Sequence, residues 1–443
     1  MSLWPFIKRL TPCMLLLLFM VPSGRAVEAS DLLECFLKAK EHDPRYRAAY
    51  HQYKAEQTLP KQSWAQLLPQ VQGSYSSMNY DYTKAPDFYE NYRGESFNIT
   101  LRQPLFNATK YLDLKQNKQR ALSGELRLLD TKNSLMIRVS EAYFKHLHAV
   151  DNLKVLLEEE KATAENLRMV KFLSDAGEAT LVDLHDAEAR KAEVYFRVID
   201  ASNQAEITRQ ELERLVGEKI DSIAPLSGDI PIVQPAPENV QDWIEGVKEK
   251  NPIVKYYALT SDIAKDELNK QKAQHLPILD FVGLYSDRNT NNDTETAKTR
   301  YYAGGFQISM PLWTSGYTSY RVQEFRERHA QTAKEYERVL SDAIQNLRSS
   351  FLGVCTSISK VKSAQAYLTA SQTALASTKI GYQSGVRTVV DVLNATSNMY
   401  KAKTELLQVR IDYVVEKLKL LYWNGKIDEN ALAEINGYLT GKE

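Results

Sequence analysis

The sequence predicts a mainly α-helical chain carrying four amphipathic β-strands of the membrane-spanning kind, a chain that closes its structure only by self-assembly. Three observations carry this reading: the mature chain is duplicated, its strands alternate apolar and polar residues, and its helices are far longer than a compact domain uses.

Taken in order, Lys8 and Arg9 precede a short apolar run, and small residues then allow cleavage after Ala26 or Ala29. Residues 1–29 therefore read as an export signal peptide, the apolar run being too short to cross a bilayer. The 443 residues hold 56 Lys+Arg and 56 Asp+Glu, so the net charge is zero. That balance gives no argument for nucleic acid or for an electrostatically held membrane surface as partner.

Residues 30–218 form one copy of the repeat and 241–427 the other. Residues 219–240 link them, and 428–443 are a C-terminal tail. The repeat is plainest at a sharp helical hairpin. Gly385 can take the positive φ that ends a helix, and Thr388 can cap the next one with Asp391 in its first turn. Gly177, Thr180 and Asp183 stand 208 residues earlier in the same arrangement.

Each copy opens with about 35 residues of helical composition, 31–67 in the first, closed by Leu68-Pro69. Val71, Gly73 and Tyr75 then alternate with polar residues, as do Phe97, Ile99 and Leu101 before Pro104, where the strand is expected to stop. In the second copy Phe306, Ile308 and Met310 alternate likewise, while Val282 and Leu284 blur the polar face of the partner strand. About ten residues per strand suits a tilted transmembrane strand, and four strands cannot close a barrel alone.

From 107 to 172 there is no proline, and apolar residues hold two adjacent seven-residue stripes, one through Leu114, Leu128 and Leu135, the other through Leu122, Leu129 and Met136. Two stripes mean packing partners on two sides. Such a helix spans about 100 Å and the return helix 180–216 only about 55 Å, so a further helix must stack above the return helix to complete the height. The counterpart from 315 to 378 is rich in small residues, which lets neighbouring backbones approach closely.

The doubled Leu-Pro, the strand ends Gln103-Pro104-Leu105-Phe106 and Met310-Pro311-Leu312-Trp313, the segment from Val139 to Phe144, and the hairpin from Tyr382 to Ala395 occur in this order over essentially the whole mature chain. In them the chain resembles the TolC family of outer-membrane efflux and secretion ducts, and the segment from Thr100 to Tyr143 looks closer to the type I secretion branch. The resemblance implies a homotrimer in which three sets of four strands form a twelve-stranded outer-membrane β-barrel, continued by a periplasmic α-helical barrel that narrows at the hairpin tips. It also implies an acidic constriction ring at Asp391, with Tyr382 and Arg387 in the contacts that keep the periplasmic gate shut. This chain has Asn394 where a second acidic ring is often found, so its gate should carry less charge.

No catalytic set, cofactor motif or metal site is expected. His146 and His148 are two apart on a helix and do not face each other, and His185-Asp186 reads as a solvated helix face. No phosphate-binding loop is present, so transport energy must come from outside the chain. The function read from this is a passive exit duct between outer-membrane lipid and a periplasmic adaptor that works with an inner-membrane ABC or proton-driven exporter. A periplasmic coiled-coil adaptor is the alternative; adaptors usually carry one helical hairpin, whereas this chain has two, each preceded by strands. Cys35 and Cys355 fall at unequal heights along the helices, so free thiols are expected.

Overall fold

A computed structural model describes residues 29–83, 91–228, 230–292 and 296–439. The predicted signal peptide, apart from Ala29, lies outside them. The order of elements is α1 (Leu32–His42), α2 (Pro44–Glu56), α3 (Leu59–Ala65), β1 (Gln70–Tyr80), β2 (Tyr92–Phe106), α4 (Ala108–Asp175) and α5 (Leu181–Val216). There follow α6 (Val240–Lys250), α7 (Pro252–Ala273), β3 (Ile278–Asn292), β4 (Thr296–Ser309), α8 (Tyr317–Gln383), α9 (Val389–Asn424) and α10 (Glu429–Asn436).

The 68 residues of α4 and 67 of α8 make each about 100 Å long. Each returns through a hairpin to a helix of 36 residues, about half that height. Each return helix ends on a left-handed glycine, Gly217 (φ 82°) or Gly425 (φ 76°). A Cβ on Gly217 would meet His42 at 2.7 Å, and one on Gly425 would meet the backbone of Lys250 and Asn251. The return helices thus stop against the ends of α1 and α6, where α2 and α7 begin and continue the height.

This corrects the expectation of one uninterrupted first helix in each copy. The chain breaks at Asp43 and Asn251, whose side chains accept the N–H groups of Tyr46 (2.7 Å) and of Ile253 and Val254 (3.0 and 3.3 Å). Pro44 and Pro252 then open the next helix, in its first turn, where the N–H that proline lacks would have no partner within the helix. The first copy breaks again before Leu59-Pro60.

The principal core lies at mid-height, where α1, α4, α6, α8 and α9 meet the linker and α10. Leu32, Phe36, Leu135, Tyr143, Phe144 and Tyr413 are fully buried there. Tyr143 donates its hydroxyl to the carbonyls of Ala224 (3.0 Å) and Ser30 (3.3 Å). Tyr413 donates to the Val233 carbonyl (3.0 Å) and accepts the Val233 N–H (3.1 Å). Two tyrosines from different long helices therefore pin the 219–240 linker. The tail is part of this girdle. Asn436 accepts the Leu32 N–H at 3.0 Å, and Glu429 pairs with Lys40 (3.2 Å) and Lys132 (3.0 Å). Cys35 is buried and Cys355 half-buried, both as free thiols, and burial raises the Cys35 thiol to about 12.

The four strands form one antiparallel sheet in the order β1-β2-β3-β4, leaving β1 and β4 as edges. The strands run longer than the ten residues expected, 11, 15, 15 and 14. Pro104 does not end β2, which pairs Pro104 with Asp280 and then slips register at Leu105. Proline is tolerated at such a bulge, and the Gln103 side chain holds the place by donating to the carbonyls of Leu67 (2.9 Å) and Pro104 (2.8 Å).

One face carries Val71, Tyr75, Phe97, Ile99, Leu101, Phe281, Tyr285, Tyr302, Phe306 and Ile308 in cross-strand register. The other carries Gln72, Ser74, Asn98, Thr100, Ser286 and Gln307, with Val282 and Leu284 among them. Hydrogen bonds join Ser76 to Ser96 (2.8 Å) and Ser286 to Asn98 (2.7 Å) on the polar face. Among the described residues no helix is long and apolar enough to cross a membrane.

Candidate functional site

Both hairpin tips are built from the same hydrogen bonds. At the end of α4 the N–H groups of Glu178 and Ala179 donate to the Leu173 carbonyl at 2.8 and 3.2 Å, and at the end of α8 those of Val386 and Arg387 donate to Gly381 at 2.9 and 3.2 Å. These bonds satisfy carbonyls that a helix end leaves orphaned, and they require the left-handed glycines Gly177 (φ 77°) and Gly385 (φ 71°). The next helix is then capped reciprocally. Thr180 donates its N–H (3.0 Å) and hydroxyl (2.7 Å) to Asp183, which returns its own N–H to Thr180 (3.1 Å). Thr388 and Asp391 repeat the three bonds at 2.9, 3.0 and 3.2 Å.

Asp391 thus has a structural job within the chain. Hydrogen bonds from Thr388 hold its carboxyl below the ordinary carboxylate range, with a smaller contribution from the Arg387 charge. Within one chain Arg387, Thr388 and Asn394 are exposed and Asp391 half-exposed, so the charged end of the second tip is left uncovered by the chain itself.

The two tips also touch. Val170 and Ala187 from the first hairpin and Val389 and Leu393 from the second form a small buried cluster, with Tyr382, Leu167, Ala179 and Leu184 packed on it. Tyr382 therefore lies against the first hairpin, where burial and the carboxylates of Asp183 and Glu178 push its phenol up. Sequence reasoning grouped Tyr382 with Arg387 and Asp391. Within one chain neither Tyr382 nor Arg387 makes a side-chain hydrogen bond or ion pair with Asp391, which is held by Thr388. Glu178, which the sequence reading did not single out, is brought to Tyr382 by a contact between segments about 200 residues apart, and no local pattern signals it.

His146 is buried and its Nδ1 lies 3.1 Å from the Thr208 hydroxyl, and His185 pairs with Glu188 at 3.2 Å on an exposed helix face. No group of three or more metal-ligating side chains occurs among the described residues.

With this geometry in hand, comparison with known proteins places the chain. The family described as outer membrane efflux protein matches residues 37–218 and 243–422. The outer membrane protein TolC of Vibrio cholerae is 25% identical over 418 residues, 94% of this chain and 95% of its own length. The proteases secretion protein PrtF of Dickeya chrysanthemi is 26% identical over 430 residues, covering 93% of this chain and 92% of PrtF. Among solved structures, that of the transmembrane channel CusC superposes with a TM-score of 0.79 at 16% identity, covering 95% of this chain and 99% of CusC. The mostly helical chain with its four-stranded sheet is therefore an outer-membrane channel protein and belongs to the outer membrane efflux protein family.

Proposed function

We propose that three copies of this chain close their sheets into one twelve-stranded barrel and their helices into a periplasmic tunnel, giving the passive exit duct of a tripartite efflux or type I secretion system. The observation that carries the reading is a four-stranded sheet with one apolar face and two unpaired edges, hung on helices of about 100 Å. In lipid, unpaired backbone groups at β1 and β4 are too costly to leave open, and pairing β4 of one copy with β1 of the next satisfies both. The helices, too polar to cross a membrane, extend into the periplasm. There a periplasmic adaptor and an inner-membrane ABC or proton-driven exporter engage the tips and supply the energy, since the chain has no nucleotide-binding loop.

The gate lies at the tips. Threefold symmetry sets three Asp391 carboxylates around one axis, where they attract cations and select for them. Arg387 is exposed and placed to reach a carboxylate of a neighbouring copy, and Tyr382 ties the second hairpin to the first. Asn394 leaves the constriction with one acidic ring.

The test is the mass of the detergent-solubilised protein, expected to be that of three chains. A stable monomer that keeps its β-sheet signal would contradict the proposal.

A further inference from the structure

The apolar face of the sheet ends in a charged rim. Along strands β2, β3 and β4 the register sets Ile99 beside Tyr285 and Tyr302, then Phe97 beside Asp287 and Arg300, then Glu95 beside Asn289 and Lys298, with Arg93 one step beyond. The aromatic row is packed across strands, Phe97 against Tyr285 at 6.4 Å between ring centroids and Tyr285 against Tyr302 at 4.9 Å. Aromatic rows of this kind sit at the boundary between hydrocarbon and headgroups in membrane barrels. The charged residues lie on the same lipid-facing side, in the next two to three residue pairs, at the end of the sheet away from the helices.

The cluster is arranged with its cations outward. Arg300 pairs with Asp287 at 2.8 Å, Lys298 approaches it at 3.9 Å, and Arg93 pairs with Glu95 at 3.0 Å. The side chains of Arg93, Lys298 and Arg300 are 61%, 54% and 59% exposed, whereas those of Asp287 and Glu95 are 20% and 34% exposed. Among the described residues of this patch, three cations face two carboxylates, an excess of one positive charge per chain. The carboxylates sit back against the sheet, orient the cations and stay largely out of contact with the surroundings.

We propose that Arg93, Lys298 and Arg300 bind the phosphorylated headgroup of an outer-leaflet lipid, above the aromatic row that marks the hydrocarbon edge. The inference rests on the barrel reading of the proposed function, because only that reading turns this face to lipid. Guanidinium and ammonium groups fixed at headgroup height make charge-assisted hydrogen bonds to phosphate oxygens, and the neighbouring aromatic rings pack on the upper part of the acyl chains. The lumen face has a cation at similar height. Arg288, paired with Ser96, points to the opposite side of the sheet, and so serves as an internal control.

The experiment is native mass spectrometry of the full detergent-solubilised assembly incubated with bis-phosphorylated lipid A, with the dephosphorylated lipid and with excess inorganic phosphate. The parent should retain bis-phosphorylated lipid A, bind the dephosphorylated form about tenfold more weakly, and keep its lipid in the presence of inorganic phosphate. K298Q/R300Q should weaken retention about tenfold, and adding R93Q should weaken it further, while R288Q and the charge-preserving K298R/R300K bind like the parent. Equal retention by K298Q/R300Q and the parent, or by both lipids, would overturn the proposal, as would complete displacement by inorganic phosphate. The assembly mass in the same spectra reports whether each variant still forms the barrel. Failure of the parent to assemble would count against the barrel itself, a result distinct from an intact barrel that holds no lipid.

Discussion

At the first tip Thr180 and Asp183 start α5 with three hydrogen bonds, and at the second Thr388 and Asp391 start α9 with the same three. The glycines that turn the chain share the left-handed region. The difference lies in what the common scaffold carries. Where the second tip has Tyr382, Arg387 and Asn394, the first has Ser174, Ala179 and Asp186, each 208 residues earlier. Ala179 packs on the cluster between the tips, whereas Arg387 is exposed beside Asp391. Positions that keep the repeat are therefore the ones that make a tight turn. Positions that break it point to what the second tip does alone: reach across to the first hairpin through Tyr382 and present Arg387, an exposed cation that makes no ion pair among the described residues.

The contrast is broken most strongly at Tyr382. Tyr382→Ala removes a half-buried ring from the cluster of Val170, Ala187, Val389 and Leu393 and should lower the local stability of the tips by about 2 kcal/mol, less than the cost at a fully buried aromatic. Hydrogen exchange of the tip amides reads this, and Ser174→Ala, its counterpart, should change them by less than about 0.5 kcal/mol.

At the glycines the two tips should behave alike. Apart from the adjoining residues, nothing lies within 4 Å of where a Cβ would sit on Gly177 or Gly385, so Gly→Ala introduces backbone strain without a clash. The cost should be about 1–2 kcal/mol at either tip, again read by exchange. A large cost at one and none at the other would show that the turns are not equivalent.

Removing the caps is a milder version of the same test. Thr180→Ala and Thr388→Ala should each release the first turn of the following helix by about 1 kcal/mol, seen as faster exchange at the Asp183 and Asp391 amides.

The smallest effect is in pH. The folded Asp391 carboxyl titrates below its unfolded value because Thr388 donates to its charged form. A group with a depressed folded pKa contributes stability that is complete above the unfolded value, near 3.9, and is lost as pH falls through the folded value. Exchange in the first turn of α9 should therefore be flat above about pH 5 and accelerate structurally only below about pH 4, after correction for intrinsic rates. Asp391→Asn, which keeps an acceptor but not the charge, should abolish that acid-side change.

Much of this was legible in the sequence because the relevant signals are local. Period-two alternation marked the strands, unbroken seven-residue stripes marked α4, and Thr-x-x-Asp after glycine marked both tips. The helix restarts at Asp43-Pro44 and Asn251-Pro252 were also written locally, as a cap residue followed by proline, but the helical composition of the flanks concealed them. Pro104 misled because the strand runs on past it through a register slip, with the Gln103 side chain donating to the carbonyls of Leu67 and Pro104 beside it. The packing of Tyr382 beside Asp183 and Glu178, and of α10 against α1, joins segments far apart in the chain, and no spacing rule reaches that far.

The central claim is that the second tip, and not its twin, holds the duct shut. Single-channel recording in planar bilayers tests it directly, comparing the parent with R387S/Y382A at the second tip and with S174A/A179S at the matching positions of the first. The account predicts a raised resting conductance for R387S/Y382A and a parent-like conductance for S174A/A179S. An R387S/Y382A channel that conducts like the parent, or a first-tip variant that opens as readily, would contradict it.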